Sequence, residues 1–174
     1  EYNKYMKNQL GELLSYPAVR GIWFDGLVGG PEQWEALDLF KFMRSKKPGL
    51  IVNDRLGTRH WRVGDHETPE QTVGAFQTDR PWESCITMDA FWSYNPSRLK
   101  QILPLSICIR TLVMCAGGDG NLLLNVGPGP LGTLTEKQIA NFKGMGMWLE
   151  QFGESVRGTR GGPYKPGLWG VSTR

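Results

Sequence analysis

Acidic side chains in two stretches of the chain have the types and spacing needed to hydrolyse a glycosidic bond. Asp25 directly follows the aromatic pair Trp23-Phe24 and precedes Gly26. A carboxylate beside large aromatic rings can be held against a sugar, and the glycine lets a ligand approach the backbone closely. Such hydrolysis needs two carboxyl groups, one that attacks the sugar or activates water and one that protonates the leaving oxygen. Asp25 is a candidate for the first role, and a turn or helix cap fits its spacing equally well.

The second group of acids lies in a long polar region from about Gly57 to Arg80 and just beyond it. Its members are Asp65, Glu67, Glu70, Asp79 and Glu83. Each could supply the second carboxyl group, although most acidic residues in loops are simply solvated. Position alone therefore does not select one of them.

Strands must bring these polar residues together. Apolar runs predict strands at residues 19–24, 50–55 and 121–126, and residues 81–94 read as a strand followed by a loop. In a parallel α/β barrel, the carboxyl ends of the strands form the active face. The polar residues at or just after the strand ends are therefore expected to converge there: Asp25, Asn53, Asp54, Arg55 and Asn125.

Helices are predicted between these strands. Apolar spacing indicates a first helix over residues 2–14 and a second that begins at Pro31 and ends near Lys46. A third is predicted from Pro96 to Met114 in spite of Pro104, and a fourth from Thr135, as N-cap, to about Phe152. This alternation of strands and helices predicts parallel βαβ units and an α/β fold.

The length of the chain limits how much of such a fold it can form. A complete (β/α)8 TIM barrel needs about 250 residues, and the chain has 174. We expect residues 1–157 to form the C-terminal part of a barrel. The Gly- and Pro-rich residues 158–174 are expected to begin a C-terminal β domain, a β-sandwich. The chain is thus expected to be part of a larger polypeptide or a product of its cleavage.

Composition argues against several other classes of protein. A net charge of +3 without runs of like charge disfavours nucleic acid binding, and no apolar stretch approaches the roughly 20 residues of a membrane span. The odd number of cysteines, Cys85, Cys108 and Cys115, predicts buried apolar residues and neither disulfides nor a zinc ribbon. Seven tryptophans slightly favour sugar binding, because aromatic rings stack on sugars.

Two other features could bind metal or phosphate but are better explained structurally. His60 and His66 lack a zincin spacing and an evident third ligand, so hydrogen-bonding loop residues are expected. The Gly117-Gly118-Asp119-Gly120 segment lies between a predicted helix and a predicted strand, whereas phosphate-binding loops follow a strand and open a helix. A tight turn is therefore predicted, and no cofactor or metal is expected.

Seven motifs, taken in order, resemble the α-L-fucosidase family, glycoside hydrolase family 29. They cover nearly the whole chain: Trp23-Phe24-Asp25-Gly26, Val52-Asn53-Asp54-Arg55, Asp65-His66-Glu67-Thr68-Pro69-Glu70, Pro81-Trp82-Glu83-Ser84-Cys85, Trp92-Ser93-Tyr94-Asn95, Gly117 through Pro128, and Gly153 through Thr159. Ser93 stands where the family usually has glycine and His66 where it often has tyrosine. The family's substrate-binding histidines belong to the first half of the barrel, which is absent here.

The resemblance implies roles for individual residues. Asp25 matches the family's nucleophile, and Glu70 is the preferred match for the acid/base. Glu83 is the alternative acid/base or a ligand of sugar hydroxyls. The remaining substrate-binding candidates are Trp23, Arg55, His66 and Trp92.

The resemblance also implies the reaction and its partners. The expected activity is a retaining exo-glycosidase that removes terminal α-L-fucosyl residues by double displacement through a covalent fucosyl-enzyme, without a cofactor. Retention requires the two carboxyl groups to lie about 5–5.5 Å apart, whereas inversion requires about 6.5–9.5 Å. The alternatives are a non-catalytic, lectin-like relative, an inactive fragment, or a retaining glycosidase of other sugar specificity.

Expected partners are a fucosylated oligosaccharide or glycoconjugate and the N-terminal half of the barrel, in the same polypeptide or a companion chain. The sequence also allows a homo-oligomer. Relatives of this kind act in the periplasm, in secretions or in lysosomes.

Overall fold

The computed structural model describes residues 1–57 and 63–174, and His60 therefore lies outside the described residues. It divides into two compact units, Glu1–Thr68 and Pro69–Arg174. Each unit contains one pair of parallel strands with a helix between them. The predicted α/β class with parallel βαβ units is confirmed. Among the described residues, no helix combines the length and the apolarity that a membrane span requires.

The first unit is built around a short parallel strand pair. Helix α1 (Tyr2–Ser15) precedes strand β1 (Gly21–Ile22), and helix α2 (Ala36–Lys46) connects it to strand β2 (Ile51–Val52). Gly21 pairs with Ile51 and Ile22 with Val52. Apolar residues of both helices and of the strand segments form one core: Leu10, Leu14, Phe24, Ala36, Leu39, Met43, Leu50, Val52 and Leu56.

Helix α2 begins five residues later than predicted, so the prediction that Pro31 starts it was wrong. Residues 31–35 form a turn, which the Ala36 amide closes by donating to the Pro31 carbonyl at 2.9 Å. Glu35 has a left-handed backbone with φ 50°, which no helical residue adopts. The Pro31 carbonyl thus accepts the hydrogen bond that closes a wide turn. The regular helix starts only after Glu35.

The second unit repeats the strand, helix, strand order. Strand β3 (Glu83–Thr87) and strand β4 (Asn121–Asn125) pair in parallel along their whole lengths, from Glu83 opposite Asn121 to Thr87 opposite Asn125. Helix α3 (Leu105–Gly117) lies between them in the chain, and helix α4 (Glu136–Phe152) follows β4. Met88, Ile102, Cys108 and Met145 form the buried cluster of this unit.

Pro104 divides the segment predicted as one helix from Pro96 to Met114, so that prediction was wrong. Residues Pro96–Gln101 form a 3-10 helix, and α3 begins directly after Pro104. Proline lacks an amide hydrogen and disfavours helical backbone in the residue before it, so a helix ends before a proline more easily than it continues through one. The Pro104 carbonyl then accepts from the amide of Ile107 at 3.0 Å and begins the new helix.

The start of α4 agrees with the prediction that Thr135 is its N-cap. The Thr135 hydroxyl accepts from the Gln138 amide at 3.3 Å, and the Gln138 side-chain oxygen accepts from the Thr135 amide at 2.8 Å. Two backbone amides near the helix start are thereby satisfied by a reciprocal capping box.

The cysteines and the glycine-rich segment also behave as predicted. Cys85, Cys108 and Cys115 are buried, and burial raises the pKa of the Cys115 thiol to about 11. The glycine-rich segment is a turn from α3 into β4. A Cβ atom on Gly120 would lie 2.2 Å from the ring of the fully buried Trp82, and one on Gly118 would lie 2.8 Å from it. These glycines therefore leave room for an indole.

The end of the chain is tied to this turn. Residues 158–174 contain antiparallel bridges between Gly161 and Thr173 and between Gly167 and Gly170. Arg160 donates to both carboxylate oxygens of Asp119, at 2.8 and 2.6 Å. The prediction that a separate domain begins at residue 158 stays a prediction.

Candidate active site

Asp25 follows β1 at a point where a side-chain amide extends the strand pairing. Asn53, the residue after β2, is fully buried. Its Oδ1 accepts from the Phe24 amide at 2.9 Å, and its Nδ2 donates to the Phe24 carbonyl at 2.8 Å. Both backbone polar groups of the residue before Asp25 are therefore fixed by one side chain.

The Asp25 carboxylate is exposed, whereas the cation that binds it is buried. Arg55 Nη1 donates to Asp25 Oδ1 at 2.8 Å. The side chain of Arg55 is 7% exposed and that of Asp25 is 68% exposed. A cation next to a carboxylate stabilises its negative charge. The arrangement thus presents an anionic oxygen pair to solvent from a fixed support.

Two further buried residues hold Arg55. Its Nε donates to Thr68 Oγ1 at 2.8 Å, and the Thr68 hydroxyl donates to Asp54 Oδ1 at 2.6 Å. The guanidinium also lies over the ring of Trp23, 5.4 Å from the ring centroid, which is cation–π geometry. The hydrogen bonds and the ring contact together restrict how the guanidinium can turn.

Trp23, which lies against the Arg55 guanidinium, forms an aromatic pair with His66. Their ring centroids are 5.8 Å apart with an interplanar angle of 54°. Trp23 is 39% exposed, and the backbone of His66 pairs with Asn53 in a parallel bridge. Nδ1 of His66 is buried and has no hydrogen-bond partner in the part of the chain that the structure describes.

Asp65, one of the acids considered for catalysis, has a structural role. Its Oδ2 accepts from the Val52 amide at 2.7 Å, and its Oδ1 is paired with Arg44. A carboxylate that binds a strand amide and an arginine holds the loop against the strand β2.

Glu83 of β3 and Glu70, which is bridged to that strand, project to the same side in the second unit. Gln71 donates its amide to the Cys85 carbonyl and Cys85 donates to the Pro69 carbonyl, both at 2.9 Å, so Glu70 pairs with Cys85 in parallel. Paired residues of neighbouring strands share a face, as do residues two apart on one strand. Glu70, Cys85 and Glu83 therefore project to one side, and both glutamates are half-buried.

Trp92 lies in the loop after β3 and is 42% exposed. Asn125, the last residue of β4, donates its side-chain amide to the Trp92 carbonyl at 2.9 Å. The polar residue at this strand end thus fixes the loop that carries the tryptophan.

Each unit therefore groups part of the predicted site. In the first, Trp23, Asp25, Arg55 and His66 come together, and in the second, both glutamates share one strand face. The contacts of Asn53 with Phe24 and of Thr68 with Arg55 went unpredicted, because their only signal was their place within motifs. In the described ranges, no three His, Cys, Asp or Glu side chains are grouped to hold a metal ion.

Comparison with known proteins gives a consistent result. The model of the α-L-fucosidase family matches residues 1–154. Plasma α-L-fucosidase from Homo sapiens is 27% identical over 161 residues, which cover 85% of this chain and 33% of that protein. The chain thus spans about a third of the length of the curated relatives it matches.

Solved structures are similar over almost the whole chain. The α-fucosidase of Thermotoga maritima in complex with fucose has a TM-score of 0.79 and 29% identity, and the match covers 99% of this chain and 40% of that one. A GH29 α-L-fucosidase from Bacteroides thetaiotaomicron, trapped as a covalent intermediate with 2-fluoro-fucosyl fluoride, has a TM-score of 0.86 over 99% of this chain and 45% of that one. At 24% identity this second likeness speaks for the fold alone. Because the family model matches most of its length, the chain belongs to the α-L-fucosidase family.

Proposed function

We propose that the protein containing this chain is a retaining exo-α-L-fucosidase that releases terminal α-L-fucosyl residues from glycans or glycoconjugates. Membership of the family supports this function, as does the Thermotoga maritima relative that was solved with fucose. The observation that carries it is the carboxylate of Asp25, which is 68% exposed and bound by the buried guanidinium of Arg55 at 2.8 Å.

In the proposed first step, Asp25 attacks the anomeric carbon of an α-L-fucoside, the glycosidic C–O bond breaks, and a covalent fucosyl-enzyme forms. A nucleophilic carboxylate must be ionised, accessible and held in place. The nearby cation, the exposure of the carboxylate and the fixed backbone of Phe24 meet these three needs. In the second step, water attacks the same carbon and fucose leaves with its configuration retained.

Glu70 is the proposed acid/base, with Glu83 as the alternative. The acid/base gives its proton to the leaving oxygen and later takes one from water. Both glutamates are half-buried and project to one side at β3, which keeps both candidates consistent with the chemistry. The glutamate that does not act as acid/base would bind sugar hydroxyls.

Four other residues are proposed to bind the sugar. Trp23 and Trp92 expose aromatic surface for the ring and its methyl group. The buried Nδ1 of His66, without a hydrogen-bond partner among the described residues, is suited to a sugar hydroxyl. Arg55 would contact fucose from the side on which it holds Asp25.

We further propose that residues 1–157 are the C-terminal part of a TIM barrel and that residues 158–174 begin a β-sandwich domain. The βαβ order of each unit and the antiparallel bridges after residue 160 support this division. The rest of the barrel would complete the sugar site.

Assays of the full-length protein test the function. We expect it to hydrolyse an aryl α-L-fucoside in preference to other aryl glycosides, and NMR should detect the α anomer of fucose as the first product. Asp25→Ala should abolish turnover, because it removes the proposed nucleophile. Unchanged turnover in that variant, or the β anomer as first product, would exclude the proposal.

The same assays separate the two glutamates. Replacing the acid/base by glutamine should slow the hydrolysis of fucosides with poor leaving groups far more than that of fucosides with activated ones. Only a poor leaving group needs the proton. Glu70→Gln is expected to show this pattern, with the exposed Glu150→Gln of α4 as control. If Glu83→Gln shows it instead, the roles of the two glutamates are exchanged.

A further inference from the structure

We propose that Thr68 is a positioning residue that aims the guanidinium of Arg55 at Asp25. The inference rests on the proposed function, in which Asp25 is the nucleophile. The effect of Thr68 on Asp25 would pass through Arg55, which is hydrogen-bonded to both.

Thr68 contacts Arg55 through two of its atoms. Its hydroxyl accepts from Nε at 2.8 Å, and its backbone carbonyl accepts from Nη2 at 3.4 Å. The third nitrogen, Nη1, donates to Asp25. Because a guanidinium is planar and rigid, fixing Nε and Nη2 also fixes the direction of Nη1.

The direction of the hydroxyl proton is determined by its two neighbours. A hydroxyl has one proton to donate, and Arg55 can only donate. The Thr68 proton therefore points to Asp54 Oδ1, at 2.6 Å, and a lone pair is left for Arg55 Nε. Donation to a charged acceptor polarises the hydroxyl and strengthens its oxygen as an acceptor.

Thr68 also separates two opposite charges that would otherwise attract each other directly. Asp54, Arg55 and Thr68 are 6%, 6% and 2% exposed. Attraction between buried charges is strong, because water screens it little. With the hydroxyl between them, Asp54 is satisfied without a direct ion pair. Without it, we expect Arg55 to turn towards Asp54 and away from the exposed carboxylate of Asp25.

Two substitutions of Thr68 in the full-length protein test this role. Thr68→Val keeps the shape and removes the hydroxyl, whereas Thr68→Ser keeps the hydroxyl and removes only the methyl group. A small displacement of a catalytic group can cost about 100-fold in rate, so we expect Thr68→Val to lower kcat for an aryl α-L-fucoside by roughly 10- to 100-fold. Thr68→Ser should stay within about 3-fold of wild type, since the bond to Arg55 is kept.

The pH profile distinguishes positioning from a general structural role. If Arg55 leaves Asp25, the carboxylate loses a stabilising cation and ionises at higher pH. The acidic limb of the pH profile of kcat/KM should therefore move to higher pH in Thr68→Val. In Thr68→Ser it should lie at the wild-type position. Thr72→Val, in an exposed part of the same loop, is the matched control. It should change neither kcat nor the position of the acidic limb.

Thr68→Ala provides a second variant should Thr68→Val not fold. It removes the same hydroxyl with less bulk, so the acidic limb should again move upwards. The proposal is overturned if soluble variants lose turnover without movement of that limb, or if Thr68→Val behaves like Thr68→Ser. Full turnover by Asp25→Ala would instead refute the proposed function itself.

Discussion

Two aspartates near strand ends show how hydrogen bonding distinguishes a carboxylate available for a reaction from a structural one. Asp25 and Asp65 both lie close to the polar ends of the first unit's strands. Asp65 binds the amide of Val52 and pairs with Arg44, so its oxygens are committed to the loop. The buried guanidinium of Arg55 binds one carboxylate oxygen of Asp25, while the Asp25 side chain is largely exposed. Only the second arrangement leaves a carboxylate accessible to an incoming sugar.

Asn53 fixes the backbone before Asp25, because its side chain is hydrogen-bonded to both the amide and the carbonyl of Phe24. We predict that Asn53→Ala lowers the free energy of unfolding by about 2–4 kcal/mol, since a buried N–H and a buried C=O lose their partner. Urea denaturation of the full-length protein measures this loss. The half-buried Asn3 donates a solvent-exposed hydrogen bond to the carbonyl of Gln33, and Asn3→Ala should stay within about 0.5 kcal/mol of wild type. Equal losses in the two variants would contradict the prediction.

At the scale of elements, the turn between α3 and β4 is shaped by Trp82. The indole is fully buried, and glycines at 74, 118 and 120 surround it so closely that a side chain at any of them would overlap it. The glycine-rich segment is therefore explained by packing. Helix α4 offers a contrast, because a Cβ atom on Gly146 would meet nothing within 4 Å.

This contrast predicts opposite effects of the same substitution. Gly120→Ala should destabilise the protein by about 1–3 kcal/mol, because a rigid ring 2.2 Å from the new Cβ must move. Gly146→Ala should stabilise it by about 0.5–1 kcal/mol, because alanine restricts the unfolded chain and fits a helix. Thermal unfolding of the full-length variants measures both signs. A lower Tm for Gly146→Ala would show that its surroundings are not open in the complete protein.

At the scale of the whole molecule, one ion pair connects the end of the chain to the turn before β4. The side chain of Asp119 is 4% exposed and accepts from Nε and Nη2 of Arg160 and from the Gly161 amide. The hydrogen bonds from Arg160 hold the pKa of the Asp119 carboxyl below its usual value. Forty-one positions separate the two partners, so this pair joins distant parts of the sequence.

The lowered pKa of Asp119 predicts a dependence of stability on pH. A carboxyl whose pKa is lower in the folded state stabilises the fold above its unfolded value of about 3.9, and the contribution is lost as pH falls through the folded value. Asp119→Asn should therefore lower the Tm of the full-length protein at pH 6, and the difference from wild type should shrink as the pH is reduced below about 4. A constant difference would show that the charge of Asp119 contributes nothing.

Local sequence predicted the elements whose signals lie within one short segment. The helix at the start of the chain, the capped start of α4 and the order of strands and helices follow from apolar spacing and from Thr135. Two helix predictions were wrong at prolines. Pro31 fits the first turn of a helix as well as the turn before one. Pro104 interrupts a segment whose apolar spacing suggests one continuous helix.

The amino-acid sequence by itself determined the α/β class, the buried cysteines and, through ordered motifs, membership of the fucosidase family. Only the tertiary structure decided which polar residues act on one another: Asn53 on the backbone before Asp25, and Thr68 on the cation beside it. The reason is physical. Spacing along a chain indicates which face or end of an element a residue occupies, whereas the direction of a hydrogen bond depends on atoms that residues far apart in sequence bring together.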